Sequence, residues 1–377
     1  MIEPIMFENE PKTIKIGREQ SVKGNIVYYG DNNLYPNTME TLIDSSQTAG
    51  ICVKTMTDFL STPFTVDGMG DVEVGRTITN KKYTLNQFRR DIAHSLAKFN
   101  GAFISVTKSL KGEVVSVSVL DFTKVRFSEF DDSGRSNFVY VGDWANEVIG
   151  KRGKKRVVKL PLFNNNQQVF EAQSKECNTT TQVYHIFLDD SYIYPTNAFE
   201  SVAMDMDTES AIQTTRHNEV TQGSPSKLIL RTDFSKDERV KAQQLEQIKK
   251  FAGPNGDKIL VIKSEFDENG NPRSNNYQVD VIPDNRDISK FDSSEKSIAN
   301  NIRKCVQIPG ILIDFEFSTG ITVSGAQLKV SVSYYNDLIR PKRDIISDSL
   351  AEIFEKSIIK FPSDDFSMVD FSMNYVE

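Results

Sequence analysis

Little in this sequence offers reactive chemistry. The 377 residues include three cysteines and three histidines. Cys52, Cys177 and Cys305 stand far apart, and none has a second Cys or a His at metal-ligand spacing, which leaves no zinc motif and no disulfide framework. They read as reduced thiols of a cytosolic product, with Cys52 and Cys305 serving as small hydrophobes on helical stripes. His94, His185 and His217 fall on three different elements and form no site. No stretch approaches the roughly 18 uninterrupted apolar residues that a membrane helix needs, and Met1 to Glu10 lacks both the basic start and the apolar run of a signal peptide.

Nucleotide, calcium and hydrolase signatures are missing as well. "GPNGDK" (Gly253 to Lys258) lacks the Gly-Lys-Ser/Thr ending of a phosphate-binding loop, and in "DENGNP" Pro272 falls where a calcium loop needs glycine. Both read as turns. There is no Gly-x-Ser-x-Gly elbow and no paired-His zinc motif. The expectation is therefore no catalytic residue, no metal and no cofactor. A net charge of −7 disfavours tight, static nucleic-acid binding, which relies on Lys and Arg displacing counterions from phosphates. Loose passage of DNA past an acidic or mixed wall is compatible with that charge.

What is present is a soluble composition, 38% hydrophobic and 26% charged, with alternating helical and strand-like patterns. An N-terminal arm (1–35) ends in the loop-like "YYGDNNLYP". From Gln47 to Leu60, Ala49, Cys52, Val53, Met56, Phe59 and Leu60 share one helical stripe that Pro63 stops. Thr84 and Gln87 form a capping box for a helix carrying Phe88, Ile92, Leu96 and Phe99 up to Asn100 and Gly101. The period then switches to two. "AFISVTKS" pairs with "EVVSVSVL", and "TKVRFSEF" with "NFVYVG", as hairpins; further β-like runs follow at 157–162, 168–172 and 182–188.

From Thr196 to Gln222 there is neither Gly nor Pro, which predicts a helix of about 40 Å at 1.5 Å per residue. Gly223 and Pro225 end it. A strand at 226–232, a helix at 235–251 and strands at 258–264 and 277–283 precede a returning helix, which runs from about Asp287 to Val306. A loop and a last helix, from about Gly325 to Lys360 and kinked by Pro341, complete the pattern.

That order resembles the portal proteins of tailed bacteriophages. The resemblance runs from about Tyr28 to Ile358. "FNGAFISVTKSLKGEVVSVSVLDFTKVRF" (Phe99 to Phe127) is similar to the family's wing segment, where a helix ends at Asn-Gly before a hairpin. "NEVTQGSPSKLILRTDFSKDERVKAQQLEQIKKFAGPNGDKILVI" is similar to the passage from stem helix into clip. "SIANNIRKCVQIPGILI" is similar to a helix ending in a Val-Pro motif, here Val306 to Pro309. The family's double proline is reduced to Pro309 followed by Gly310. Only about sixteen residues follow the last helix, so the expected crown is vestigial at most.

The resemblance implies an α+β fold with the following parts: wing (36–195), stem helix (196–222), clip (223–285), returning stem helix (286–309), tunnel loop (310–324), long kinked helix of the wing (325–361) and a short tail (362–377). It implies a ring of twelve subunits at the capsid portal vertex of a virion, assembled in the host cytoplasm, through which double-stranded DNA passes non-specifically. The implied partners are the large terminase, then a head-to-tail adaptor, and the major capsid protein; no membrane is involved.

Within that frame, Glu200, Asp205, Asp207 and Glu209 are candidates to line the channel and repel phosphates, or are an ordinary solvated face. The tunnel loop has no Lys or Arg. It carries Asp314, Glu316, Ser318, Thr319, Gly320, Thr322 and Ser324, and a plain connecting loop is the alternative. The run Lys151, Arg152, Lys154, Lys155 and Arg156 is solvated surface or a contact to DNA or acidic capsid. In the clip, Lys236, Asp237, Arg239, Lys241, Lys249 and Lys250 offer a charged partner surface. Two other readings compete: another ring-forming structural protein of the tail, and a metal-dependent hydrolase or nuclease built from the many carboxylates.

Overall fold

The computed structural model describes residues 22–23, 25–131, 134–145, 157–189, 193–222, 227–231, 239, 278–282, 289–313, 325–362 and 373. The chain divides into two compact units. The first joins Met1–Asp207 to Ala299–Glu377, and the second is Thr208–Ile298. The fold class is α+β, with helices packed on small antiparallel sheets.

In the first unit a short hairpin, β1 (Val22–Lys23) and β2 (Ile26–Val27), leads into α1 (Tyr35–Ser45) and α2 (Gln47–Leu60). Ser46 separates the two helices and caps the second by accepting from Ala49 N. A hairpin that the sequence reading did not assign follows, β3 (Glu73–Arg76) with β4 (Lys82–Thr84). Next comes α3 (Leu85–Phe99), and its capping box is present in full: Gln87 N donates to Thr84 Oγ1 while Thr84 N donates to Gln87 Oε1. Asn100 in left-handed conformation terminates it.

The central sheet has β5 (Gly101–Lys108) between β6 (Val114–Leu120) and β10 (Thr181–Phe187), all antiparallel. The first half of β5 is buried on both faces: α3 packs on the strand, and Phe103 meets Phe127 of a second sheet at 5.6 Å. That second sheet runs β7 (Val125–Phe127), β8 (Phe138–Val141), β9 (Val158–Pro161). Gly101 sits at the crossing of the layers: a Cβ there would lie 2.7 Å from the Phe122 ring and 2.9 Å from both Phe187 and Pro195. Only glycine permits that approach.

One segment departs from the sequence expectation. Residues 168–172, read as β-like, belong to α4 (Gln167–Cys177). Val169 and Phe170 have strand propensity, but Asn166 accepts from both Gln168 N and Val169 N, and Asn178 supplies a left-handed stop. The caps outweigh a weak two-residue propensity signal.

The chain leaves the first unit along α5 (Ala203–Gln222) and returns along α6 (Ser289–Cys305). In the second unit β11 (Lys227–Arg231) and β12 (Gln278–Ile282) pair antiparallel in the register Lys227↔Ile282. The last helix, α7 (Gly325–Phe354), holds Pro341 in its interior and ends before the Lys360 expected from the sequence. Its second half completes the first unit's core with Tyr335, Ile339, Ile346, Leu350, Ile353 and Phe354. Pro341 leaves the carbonyl of Asp337, four residues earlier, without its helical donor. Across this break the buried Arg343 guanidinium donates to Asn336 O (3.0 Å) and Asn336 Oδ1 (3.2 Å).

Candidate functional site

A buried polar construction of the first unit lies where the chain turns into α5. Tyr29 stacks between Tyr194 and Tyr35, with ring centroids 4.2 and 4.8 Å apart. Each hydroxyl is used. Tyr194 Oη donates to Val27 O (2.7 Å) and accepts from Phe127 N (2.8 Å); Tyr29 Oη donates to Pro195 O; Tyr35 Oη donates to Glu200 Oε2 (2.7 Å) and accepts from Asn197 N (3.2 Å). Burial pushes the Tyr29 and Tyr194 phenols far up, so they stay protonated donors.

Asn197 completes the anchor. Its Oδ1 accepts from Phe199 N (2.9 Å), and its Nδ2 donates to Lys98 O (2.8 Å) in the last turn of α3. Asn100 Nδ2 holds Thr196 O at 2.9 Å. These bonds explain why the regular helix begins at Ala203 behind a 3₁₀ turn (Glu200–Val202), and not at Thr196 as the uninterrupted composition implied. The backbone of 195–199 is committed to side chains from elsewhere.

Arg126, 0% exposed, braces the same region. It donates to Asn33 Oδ1 (2.6 Å), Asn33 O (2.8 Å), Thr123 O (2.9 Å) and Val125 O (2.7 Å). Burial among these neutral groups pulls its guanidinium down to about 10. Lys98, by contrast, is buried against two carboxylates, Glu40 (3.0 Å) and Asp44 (2.8 Å), and ties α3 to α1.

The four acids proposed from the sequence have different environments. Glu200 is half-buried and bound to Tyr35; Asp205 is half-buried; Asp207 is exposed. In the second unit Glu209 is 8% exposed in the single protomer. The returning helix meets α5 in each unit. Burial, with Asp205 adding to it, pushes the Cys305 thiol up to about 12, and in the second unit Arg216 pairs with Glu295 at 3.0 Å. Cys305 is thus an unreactive thiol that donates to Ile302 O. After α6, Gln307 in left-handed conformation turns the chain into Pro309 and Gly310.

Several proposed residues lie outside the described residues: Asp314, Glu316, Ser318, Thr319, Gly320, Thr322 and Ser324; Lys151, Arg152, Lys154, Lys155 and Arg156; and Lys236, Asp237, Lys241, Lys249 and Lys250. Arg239 is described, helical and exposed. Among the described residues no group of three or more His, Cys, Asp or Glu is placed to hold a metal, and no helix is long and apolar enough to cross a membrane. An open groove of about 440 Å³ between Phe138 and α4 includes one carboxylate, Glu176, which pairs with Lys159 at 2.8 Å. The arrangement orients a chain segment and presents no nucleophile with its base.

The sequence reading found the acids but missed the tyrosines, Asn197 and Arg126. The concentration of tyrosine in a turn-rich loop, "YYGDNNLYP", was the available signal.

A mixed α+β chain with a second unit inserted through two helices is the class that this structure defines. Solved chains of the same fold come from gene transfer agent particles. A chain from the virion of a native particle matches 91% of this chain and 87% of its own length, at 10% identity and a TM-score of 0.54. A chain from the neck of an empty particle, computed with sixfold symmetry, matches 89% and 84%, at 10% identity and a TM-score of 0.53. An HK97-family phage portal protein from Corynebacterium diphtheriae aligns over 79% and 86% at 9% identity, with a TM-score of 0.40 that is too low to carry an argument. No protein-family model matches the chain, and no curated protein matches it in sequence.

Proposed function

We propose that this chain is a portal subunit, one copy in a closed ring at a capsid vertex through which double-stranded DNA enters and leaves. The observation that carries the reading is the fold shared with a chain of a gene transfer agent neck over 89% of this chain. The sequence order of stem, clip, returning stem and tunnel loop supports it independently. A ring of twelve is compatible with the sixfold symmetry applied to that neck.

In this reading the tyrosine anchor and Arg126 hold the start of α5 in the first unit, so that every subunit contributes the same wall. Asp207, exposed at the start of that helix, is the best placed of the four acids to face DNA; a carboxylate there repels phosphates and keeps the wall from gripping. The second unit is the part that docks the large terminase and then the adaptor, while capsid protein surrounds the first. Supply of energy belongs to a separate motor.

Mass photometry of the purified chain with negative-stain imaging tests this. A closed ring with an axial channel is expected. A compact protomer that stays monomeric at high concentration overturns the reading.

A further inference from the structure

Two surfaces of the first unit expose apolar side chains. One is the outer face of α7, with Val330 69%, Tyr334 58% and Ile345 37% exposed. At 3.6 residues per turn these positions share one stripe about 22 Å long. Exposed acids Asp337, Asp344 and Asp348 lie on the same stripe. The cations Lys329 and Arg340 lie about a third of a turn from its centre.

The other surface is the tip of the β3–β4 hairpin, where Ile78 is 107% exposed between the exposed Arg76, Lys81 and Lys82. Glu73 pairs with Arg76 at 3.0 Å and lies 3.8 Å from Lys82, so the tip keeps a net positive charge. The tip is held rigid. Thr77 N donates to Lys81 O (2.9 Å), Asn80 N to Thr77 O (2.8 Å) and Lys81 N to Thr77 Oγ1 (3.0 Å), with Asn80 in left-handed conformation. A preordered tip loses little entropy on docking.

We infer that the hairpin tip of one protomer docks on the outer face of α7 of a second copy of this chain. Ile78 meets the apolar stripe around Tyr334, and Lys81 and Lys82 meet Asp344 and Asp348. Apolar and charged character are complementary on both sides. The joined surfaces are different patches, so each protomer keeps one of each free for a further copy, and repeated head-to-tail the contact builds a ring where the rotation per step closes. This contact rests on the ring reading and names the surfaces that would build it.

The test compares the oligomeric mass of wild type, Ile78→Asp, Lys81→Glu/Lys82→Glu, Asp344→Lys/Asp348→Lys and the combined four-residue swap, at equal concentration and ionic strength. All altered side chains are exposed, so melting of the protomer serves as a control for folding. The expected result is rings for wild type, a loss of ring stability of at least about tenfold in Kd for the three partial variants, and recovery in the combined swap. Rings of wild-type mass in every variant overturn the contact while leaving the ring reading intact, and give the α7 face to another occupant. Dissociation without recovery in the swap overturns the pairing. A wild type that never forms rings removes the ring reading itself.

Discussion

The two halves of α7 belong to one helix and one sequence pattern, yet they have opposite surroundings. From Tyr335 to Phe354 the inner face is buried against α2, α3 and the central sheet, with Tyr335 edge-on to Phe59 (4.8 Å) and Phe354 against Phe88 (6.4 Å). From Gly325 to Tyr334 the helix is exposed or half-buried all round, although Leu328, Val330, Val332 and Tyr334 make it no more polar. Burial is therefore decided by what the fold brings alongside, and an apolar helical turn that the protomer leaves in water is information about assembly.

The strongest way to break this contrast is to empty the buried half. Leu350→Ala should cost about 3–4 kcal/mol of protomer stability, the cost of a cavity at a fully buried leucine, measured as a shift in urea midpoint. A second experiment sharpens it where the end of α7 meets the sheet. Lys108, buried at the bulge of β5, lies over the Phe163 ring (4.1 Å) and donates to Asn164 O (2.8 Å), while Lys356 just beyond α7 donates to Asn165 O (3.1 Å). Burial, with Lys356 adding repulsion, lowers the Lys108 ammonium from 10.5 to about 8. The folded protein then binds fewer protons than the unfolded chain between pH 8 and 10.5, so this group's contribution to stability rises with pH across that window, on the order of 3 kcal/mol in all. Lys108→Met should remove that rise; equal pH slopes for the two proteins would refute it.

Arg343→Met removes both guanidinium bonds to the buried Asn336, one to its carbonyl and one to its Oδ1, that span Pro341. A loss of about 2 kcal/mol is expected, read by thermal melting. At the small end, Val330→Ser should change protomer stability by less than about 0.5 kcal/mol. A large loss there would show that the exposed half has a partner within its own chain.

The same contrast explains how much was legible in the sequence. The capping box at Thr84, the hairpin of β5 and β6 and the stripe of α2 depend on neighbours a few residues apart, and each matches the structure. The tyrosine anchor joins Tyr29 and Tyr35 to Pro195, Asn197 and Glu200, and Arg126 reaches Asn33. No local period encodes such pairs. The acids of the candidate wall were visible as composition, whereas their different burial follows from Tyr35 and from the packing of α5. Residues 168–172 were misread because side-chain propensity was visible and the two asparagine caps were not weighed.

The first unit is discontinuous in sequence, and this has a consequence for biosynthesis. Phe59 and Phe88 emerge from the ribosome well before the helix that covers them, with the whole of the second unit translated in between. At about 5–20 residues per second, the wait between Asp207 and Phe354 is on the order of ten to thirty seconds. During that interval a half-built core stays uncovered, so nascent chains of this protein should be strong clients of chaperones that hold apolar surface until the final helix arrives.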